Sequence, residues 1–251
     1  MKVFTRISDW QAFRGGLTEK PLGFVPTMGA LHQGHLSLVQ ASLAANSVTV
    51  VSLFVNPVQF DEQGDFDAYP DEKAKDLEQL EAAGVDVVIM PDAGQIYADE
   101  YRFKVTENSF SRRLCGAHRP GHFDGVLTVV MRLFNLVRPD NAYFGEKDYQ
   151  QLHLIRDMTS AFFMPVNIIA CATVREPDGL AMSSRNLRLG SDDRAKATFL
   201  YATLRQSRSS EEARSLLDNH GFDVDYVEDI PGRRLAAVRL GKTRLIDNVE
   251  L

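Results

Sequence analysis

The sequence predicts an α/β protein: a doubly wound parallel sheet followed by a smaller α+β unit. Three observations carry this. Short, continuous apolar or β-branched runs fit strands buried on both faces. They alternate with longer amphipathic stretches, the pattern of successive β-α-β units. After about Val174 the texture changes to a polar turn, two helical stretches and three short strands. We therefore expect two domains, residues 1–173 and 174–251.

In chain order, Leu22 to Pro26 is a short apolar run that ends at Pro-Thr. Gly34 to Asn46 carries Leu36, Val39 and Leu43 at helical spacing. Val48 to Val55 is a β-branched run that reads as a buried strand. Asp71 to Ala83 is a charged helix with Leu77 and Leu80 three apart, and Gly84 is a fitting stop. Val85 to Met90 is a further buried strand, Phe123 to Val137 an apolar helix, Ala142 to Phe144 a short strand, Asp148 to Phe163 an amphipathic helix and Val166 to Val174 a strand. Beyond the boundary, Ser191 to Ser207 and Ser210 to His220 read as helices. Phe222 to Asp229, Leu235 to Leu240 and Lys242 to Asp247 read as strands of an antiparallel unit. Sheets of the first kind bind ligands where strands end and helices begin.

The bulk numbers exclude several classes of function. The 251 residues are 44% hydrophobic and 25% charged, an ordinary globular composition, and the net charge is −6. Nucleic-acid and membrane surfaces both select a basic face, so neither is expected as a partner. Met1 to Trp10 holds no apolar signal core, and the longest apolar runs are too short to span a bilayer. The two cysteines, Cys115 and Cys171, show neither metal spacing nor a disulfide framework, which suits a reduced, cytoplasmic protein.

Four segments are placed to carry chemistry. In Pro26-Thr27-Met28-Gly29-Ala30-Leu31-His32-Gln33-Gly34-His35 a strand leads through a glycine turn into a helix start. Free N–H groups and partial positive charge at a helix N-terminus suit phosphate. His32 and His35, three apart, can share one face of the first turn and add donors without permanent charge. Local capping is the alternative reading, and a zinc site would need a third ligand that the neighbouring sequence lacks. Phe54-Val55-Asn56-Pro57-Val58-Gln59-Phe60 ends the second buried strand. Its amides Asn56 and Gln59 can donate and accept, which suits a hydroxy acid; a Pro-initiated turn with amides in water is equally open. In Phe144-Gly145-Glu146-Lys147-Asp148-Tyr149-Gln150-Gln151 a strand again yields to a glycine and a helix start. There Lys147 can neutralise phosphate, and Asp148 can take a ribose hydroxyl or cap the helix. Gly179 to Asn186, with Ser183, Ser184 and Arg185, is a polar loop able to close over phosphates, or an ordinary linker. The basic loop Arg112 to Phe123 fits either a site lining or an oligomer contact.

Together these segments resemble the pantothenate synthetase family. The resemblance rests on Pro26 to His35 with its His-x-Gly-His core, Phe54 to Phe60, Arg119-Pro120-Gly121-His122-Phe123, Phe144 to Gln151 and Met182-Ser183-Ser184-Arg185-Asn186, in the family's order over residues 1 to about 190. Arg244 to Asn248 is similar to the family's C-terminal strand. The resemblance implies a Rossmann-like domain with a small C-terminal lid domain. It implies ATP-dependent ligation of pantoate and β-alanine through a pantoyl-adenylate, releasing AMP and pyrophosphate, with ATP and Mg²⁺ required and a homodimer as the working form. It implies catalytic roles for His35, His32 and Lys147. It implies ATP contacts for Met28, Gly29, Ala30, Leu31, His32, Gln33, Gly34, His35, Gly145, Glu146, Lys147, Asp148, Val174, Met182, Ser183, Ser184 and Arg185. Gln59, Gln151 and Asn56 would hold the acid substrate. Asp76 would be a Mg²⁺ ligand, next to Lys75 where family members often carry a second acid. The region after Asn186 is shorter than the family usually has. Another adenylyltransferase of the His-x-Gly-His group, or a non-catalytic ligand-binding relative, is the alternative.

Overall fold

The computed structural model describes residues 1–60, 63–67 and 69–251. Its elements run β1 (Lys2–Phe4), α1 (Ile7–Gly16), β2 (Leu22–Thr27), α2 (Gln33–Ala45), β3 (Val48–Leu53), α3 (Gln63–Asp67), α4 (Lys73–Ala83), β4 (Val87–Ile89), α5 (Ala93–Ile96), α6 (Cys115–His118), α7 (His122–Val137), β5 (Asn141–Gly145), α8 (Tyr149–Ala161) and β6 (Asn167–Cys171). There follow α9 (Ser191–Ala197), α10 (Phe199–Gln206), α11 (Ser210–Asn219), β7 (Asp223–Ile230), β8 (Arg233–Leu240) and β9 (Thr243–Glu250).

The chain divides into two compact units. The first comprises Met1–Leu31, His35–Gly145 and Gln150–Cys171; the second comprises His32–Gly34, Glu146–Tyr149 and Ala172–Leu251.

In the first unit six parallel strands take the order β1-β4-β3-β2-β5-β6. The central strand β3 is buried at every position, as an unbroken β-branched run requires. From β2 the chain winds outward through β3 and β4, then returns to lay β5 on the other side of β2. The β2/β5 boundary is therefore the switch point of the sheet, where such folds open a crevice at the strand C-termini. The register shows the opening. β2 pairs with β3 along its whole length, but with β5 only at Gly23↔Asn141 and Phe24↔Ala142. Two residues later stands Pro26, which has no N–H to offer a neighbour. The core under this sheet includes Val25, Leu31, Val39, Val51, Leu80 and Val88. Gly84 ends α4 in the left-handed region at φ 88°, and its N–H closes on Leu80 and Glu81.

The second unit packs α9, α10 and α11 on an antiparallel sheet β7-β8-β9, joined by tight turns. Its core joins Leu200, Leu204, Ala213 and Leu217 to Val224, Ala236, Val238 and Leu245. The fold class is the one expected. Five of these elements escaped sequence reading: β1, α1 and the short helices α3, α5 and α6. β1 is a three-residue edge strand without a buried face, and α1 buries only Trp10. The expected helix from Ser191 to Ser207 is divided at Thr198 into α9 and α10.

Candidate active site

At the C-terminal end of β2 the backbone turns sharply. Gly29 lies at φ 82° and Ala30 at φ 51°, so a residue with a Cβ occupies the left-handed region. A buried carboxylate holds it there. Asp76, 1% exposed, accepts the Ala30 N–H on Oδ2 and the Leu31 N–H on Oδ1, both at 2.8 Å. A Cβ on Gly29 would stand 2.8 Å from Asp76 Oδ2. Burial raises the Asp76 pKa, and the two N–H groups act against that rise. Thr27 Oγ1 completes the turn, donating to Ser52 O at 2.8 Å and accepting from Gly29 N at 3.2 Å. The Leu31 side chain is in the core, so this residue can offer a ligand only its backbone.

The segment then enters α2. His32 precedes the helix, and its Nδ1 accepts the Gly34 N–H at 3.1 Å. That bond fixes the tautomer in which Nε2 carries the proton and can donate. Burial, then the positive charge of Lys147, lowers the His32 pKa to about 4. His32 is therefore a neutral donor at physiological pH. Gly34 makes room for it, since a Cβ there would lie 2.9 Å from His32 Cε1 and 3.8 Å from the Met182 Cβ. Gln33 is exposed as the first residue of α2, and His35 lies in its first turn with Nδ1 shielded from solvent.

The end of β3 carries a different arrangement. Asn56 is 1% exposed. Its Nδ2 donates to Gln59 Oε1 at 3.0 Å and to Gly125 O at 3.2 Å, and its Oδ1 accepts from Tyr97 OH at 2.6 Å. Gln59 Nε2 reaches Met28 Sδ at 3.0 Å. Behind the turn, His122 Nδ1 lies 2.7 Å from Gln59 O and His122 Nε2 lies 3.3 Å from Arg119 Nη1. A carbonyl only accepts, so Nδ1 carries the proton and Nε2 accepts from the guanidinium. The basic loop thus packs against the Gln59 turn through Arg119 and His122. Gly125 allows the close approach, because a Cβ there would meet Val58 O at 2.5 Å. Gln151 stands half-buried in the first turn of α8, while its neighbour Gln150 ties down the loop through Cys115 N, Phe110 O and Arg113 O.

The second unit holds the remaining expected residues. After Gly145, where a Cβ would meet nothing within 4 Å, the carbonyls of Glu146 and Lys147 accept from Asn248 Nδ2 at 2.9 and 3.1 Å. Arg233 pairs with Glu146 at 3.0 Å and lies over the Tyr149 ring. Lys147 sits 3.7 Å from Asp148. Val174 and Met182 are brought together, Met182 N donating to Val174 O at 3.0 Å across a hairpin whose turn uses Gly179 at φ 92°. Ser183 Oγ caps the helical turn begun by Ser184, accepting from Arg185 N at 3.2 Å. Asn186 and Arg194 pin the hairpin through Glu176.

The Mg²⁺ role expected of Asp76 does not fit this placement. Both of its oxygens are engaged by backbone N–H groups, and Lys75 pairs with Glu72 at 2.8 Å. Among the described residues no group of three or more His, Cys, Asp or Glu side chains is placed to hold a metal ion, and no helix is long and apolar enough to cross a membrane. Tyr97, Gly125 and Asn248 were not singled out from sequence. Asn248 alone lay within a recognised motif.

The family model for pantoate-beta-alanine ligase matches residues 2–250. Among curated relatives, the pantothenate synthetase of Bdellovibrio bacteriovorus is 50% identical over 250 residues, covering 100% of this chain and 99% of its own. That of Legionella pneumophila strain Lens is 50% identical over 249 residues, covering 99% of each. A crystal structure of the Francisella tularensis pantoate-beta-alanine ligase, complexed with beta-gamma ATP and beta-alanine, superposes with a TM-score of 0.95 at 40% identity, covering 100% of this chain and 97% of that one. The pantothenate synthetase of Thermus thermophilus gives 0.91 at 39%, covering 100% and 99%. The region after Asn186, short by the expectation from sequence, is matched by relatives spanned over nearly their whole length.

Proposed function

Because the chain belongs to the pantoate-beta-alanine ligase family, we propose that it joins pantoate to β-alanine using ATP, through a pantoyl-adenylate, releasing AMP and pyrophosphate. The observation that carries the site assignment is His32. It is a neutral imidazole whose Nδ1 accepts the Gly34 N–H, which leaves the proton on Nε2 at the start of α2, and the charge of Lys147 acts on it. A neutral donor beside a fixed cation suits phosphate oxygens at any pH near neutrality.

In the first step a pantoate carboxylate oxygen attacks the α-phosphorus. The new O–P bond forms as the bond to the bridging oxygen breaks, and pyrophosphate leaves with that electron pair. Negative charge grows on the bridging and non-bridging oxygens, and Lys147, His32 and the N–H groups of the α2 start stabilise it. His35, in the same first turn, is the proton donor. Gln59, with Gln151, holds the acid substrate, and the buried Asn56 orients Gln59 from behind. Met28 to His35, Gly145 to Asp148, Val174 and Met182 to Arg185 hold ATP. Two features support this reading: Gly145 leaves open space at its Cβ, and Leu31 offers only backbone. In the second step the β-alanine amine attacks the acyl carbon, a C–N bond forms, AMP departs and the amine loses a proton.

Mg²⁺ accompanies ATP as the counterion of its phosphates, and no step is routed through a protein-held ion. We place the reaction in the cytoplasm and expect a homodimer, measurable by light scattering on the eluted protein. The test of function is AMP release from ATP with pantoate and β-alanine together. Full turnover only with both acids supports it; turnover indifferent to pantoate overturns it.

A further inference from the structure

The amides at the end of β3 form a chain with a fixed polarity. Its origin is the Gly125 carbonyl, which can only accept. The Asn56 atom 3.2 Å from it must therefore be Nδ2. This turns Oδ1 toward Tyr97, whose hydroxyl donates at 2.6 Å. The second Nδ2 hydrogen goes to Gln59 at 3.0 Å, so the Gln59 atom there must be Oε1. The NH₂ of Gln59 is then the outward end of the chain. In this structure it meets Met28 Sδ, a weak acceptor that a carboxylate or hydroxyl oxygen readily replaces.

Tyr97 closes the chain at its buried end. Burial raises its pKa, so the hydroxyl keeps its proton throughout the working range. Its ring is held independently of the hydroxyl. Tyr101 packs edge-on at 5.4 Å, Phe54 lies at 6.4 Å, and the Arg132 guanidinium lies 4.8 Å over the face. Arg132 is itself anchored on Ile96 O, Asp99 and Phe103 O. Removing the oxygen alone leaves this packing in place. It also leaves Asn56 Oδ1 buried without its donor, so that Gly125 O alone holds the Asn56 amide and the orientation it passes to Gln59 is loosened.

We propose that Tyr97 is a positioning residue for the acid substrate: acting through Asn56, it fixes Gln59 with its NH₂ toward an oxygen acceptor of that substrate. This rests on the reading above, in which Gln59 meets pantoate.

The experiment is steady-state kinetics on the full chain, comparing wild type with Tyr97→Phe. The KM for pantoate is expected to rise about tenfold, while those for ATP and β-alanine stay within about twofold. A merely structural role would move all three together, and that result overturns the proposal, as does an unmoved pantoate KM. Should Tyr97→Phe not fold, Asn56→Asp decides. This near-isosteric change sets acceptors against Gly125 O and Gln59 Oε1, and a pantoate-specific rise of at least about tenfold is expected; an unmoved pantoate KM overturns the proposal. The two readings fail separately. Wild-type protein that makes no AMP with pantoate overturns the function itself, whereas an active wild type with an indifferent Tyr97→Phe variant overturns only the positioning role.

Discussion

Removing the Asp76 carboxylate should loosen the turn at the end of β2. In Asp76→Ala the N–H groups of Ala30 and Leu31 lose acceptors at 2.8 Å in a site where Asp76 is 1% exposed. A buried donor left unsatisfied costs about 1–3 kcal/mol, so two cost about 2–6 kcal/mol. Two effects act on that figure. The carboxylate is desolvated, as its raised pKa shows, and its removal recovers part of that penalty. Ala30, at φ 51°, also loses the contact that opposes its backbone strain. We expect a net loss of about 3 kcal/mol for Asp76→Ala. Asp76→Asn keeps one acceptor but sets an NH₂ against the other N–H, and should cost about 1–2 kcal/mol. The assay is equilibrium urea unfolding at pH 7, paired with the KM for ATP, which should rise because the turn carries the start of α2. A loss below about 0.5 kcal/mol in Asp76→Ala, the size of an unremarkable surface change, would refute the clamp. Selective loss of Mg²⁺ dependence at full stability would return Asp76 to a metal role.

Other variants test the rest of the site. His32 has a folded pKa of about 4 against an ordinary 6.5, so the unfolded chain takes up its proton first on acidification. The stability tied to neutral His32 is complete above pH 6.5 and is lost as pH falls toward about 4. The full span is about 3 kcal/mol, and urea midpoints at pH 7, 5.5 and 4.5 should show this slope in wild type and not in His32→Gln. Gly34→Ala brings a Cβ to 2.9 Å from His32 Cε1 and displaces the imidazole. The KM for ATP should rise severalfold, with stability nearly unchanged because alanine suits a helix. Asn248→Ala frees the carbonyls of Glu146 and Lys147. It should weaken ATP binding about tenfold, read by calorimetric titration, and leave pantoate binding alone.

The parallel sheet was legible because β3 is short and β-branched from Val48 to Val51, so that length and composition, rather than periodicity, mark it as a buried strand. β1 was not legible, since three half-exposed residues carry no pattern. The histidine corner could be read because strand, glycine turn and helix start follow each other directly in sequence. Its electrostatics could not, because the Lys147 that acts on His32 is distant in the chain. Asp76 shows the converse limit. Sequence offers a carboxylate beside a lysine, and only the fold reveals that both oxygens face inward to backbone N–H groups. Tyr97 carries no motif at all. It joins the site through a single hydroxyl, 41 residues from Asn56.

The central claim is that this chain activates pantoate as an adenylate before any amine is present. Isotope exchange between labelled pyrophosphate and ATP, run without β-alanine, tests it most directly. Exchange that depends on pantoate, and disappears in Lys147→Ala, is the predicted result. No exchange under these conditions, with AMP still formed once β-alanine is added, would contradict the two-step account.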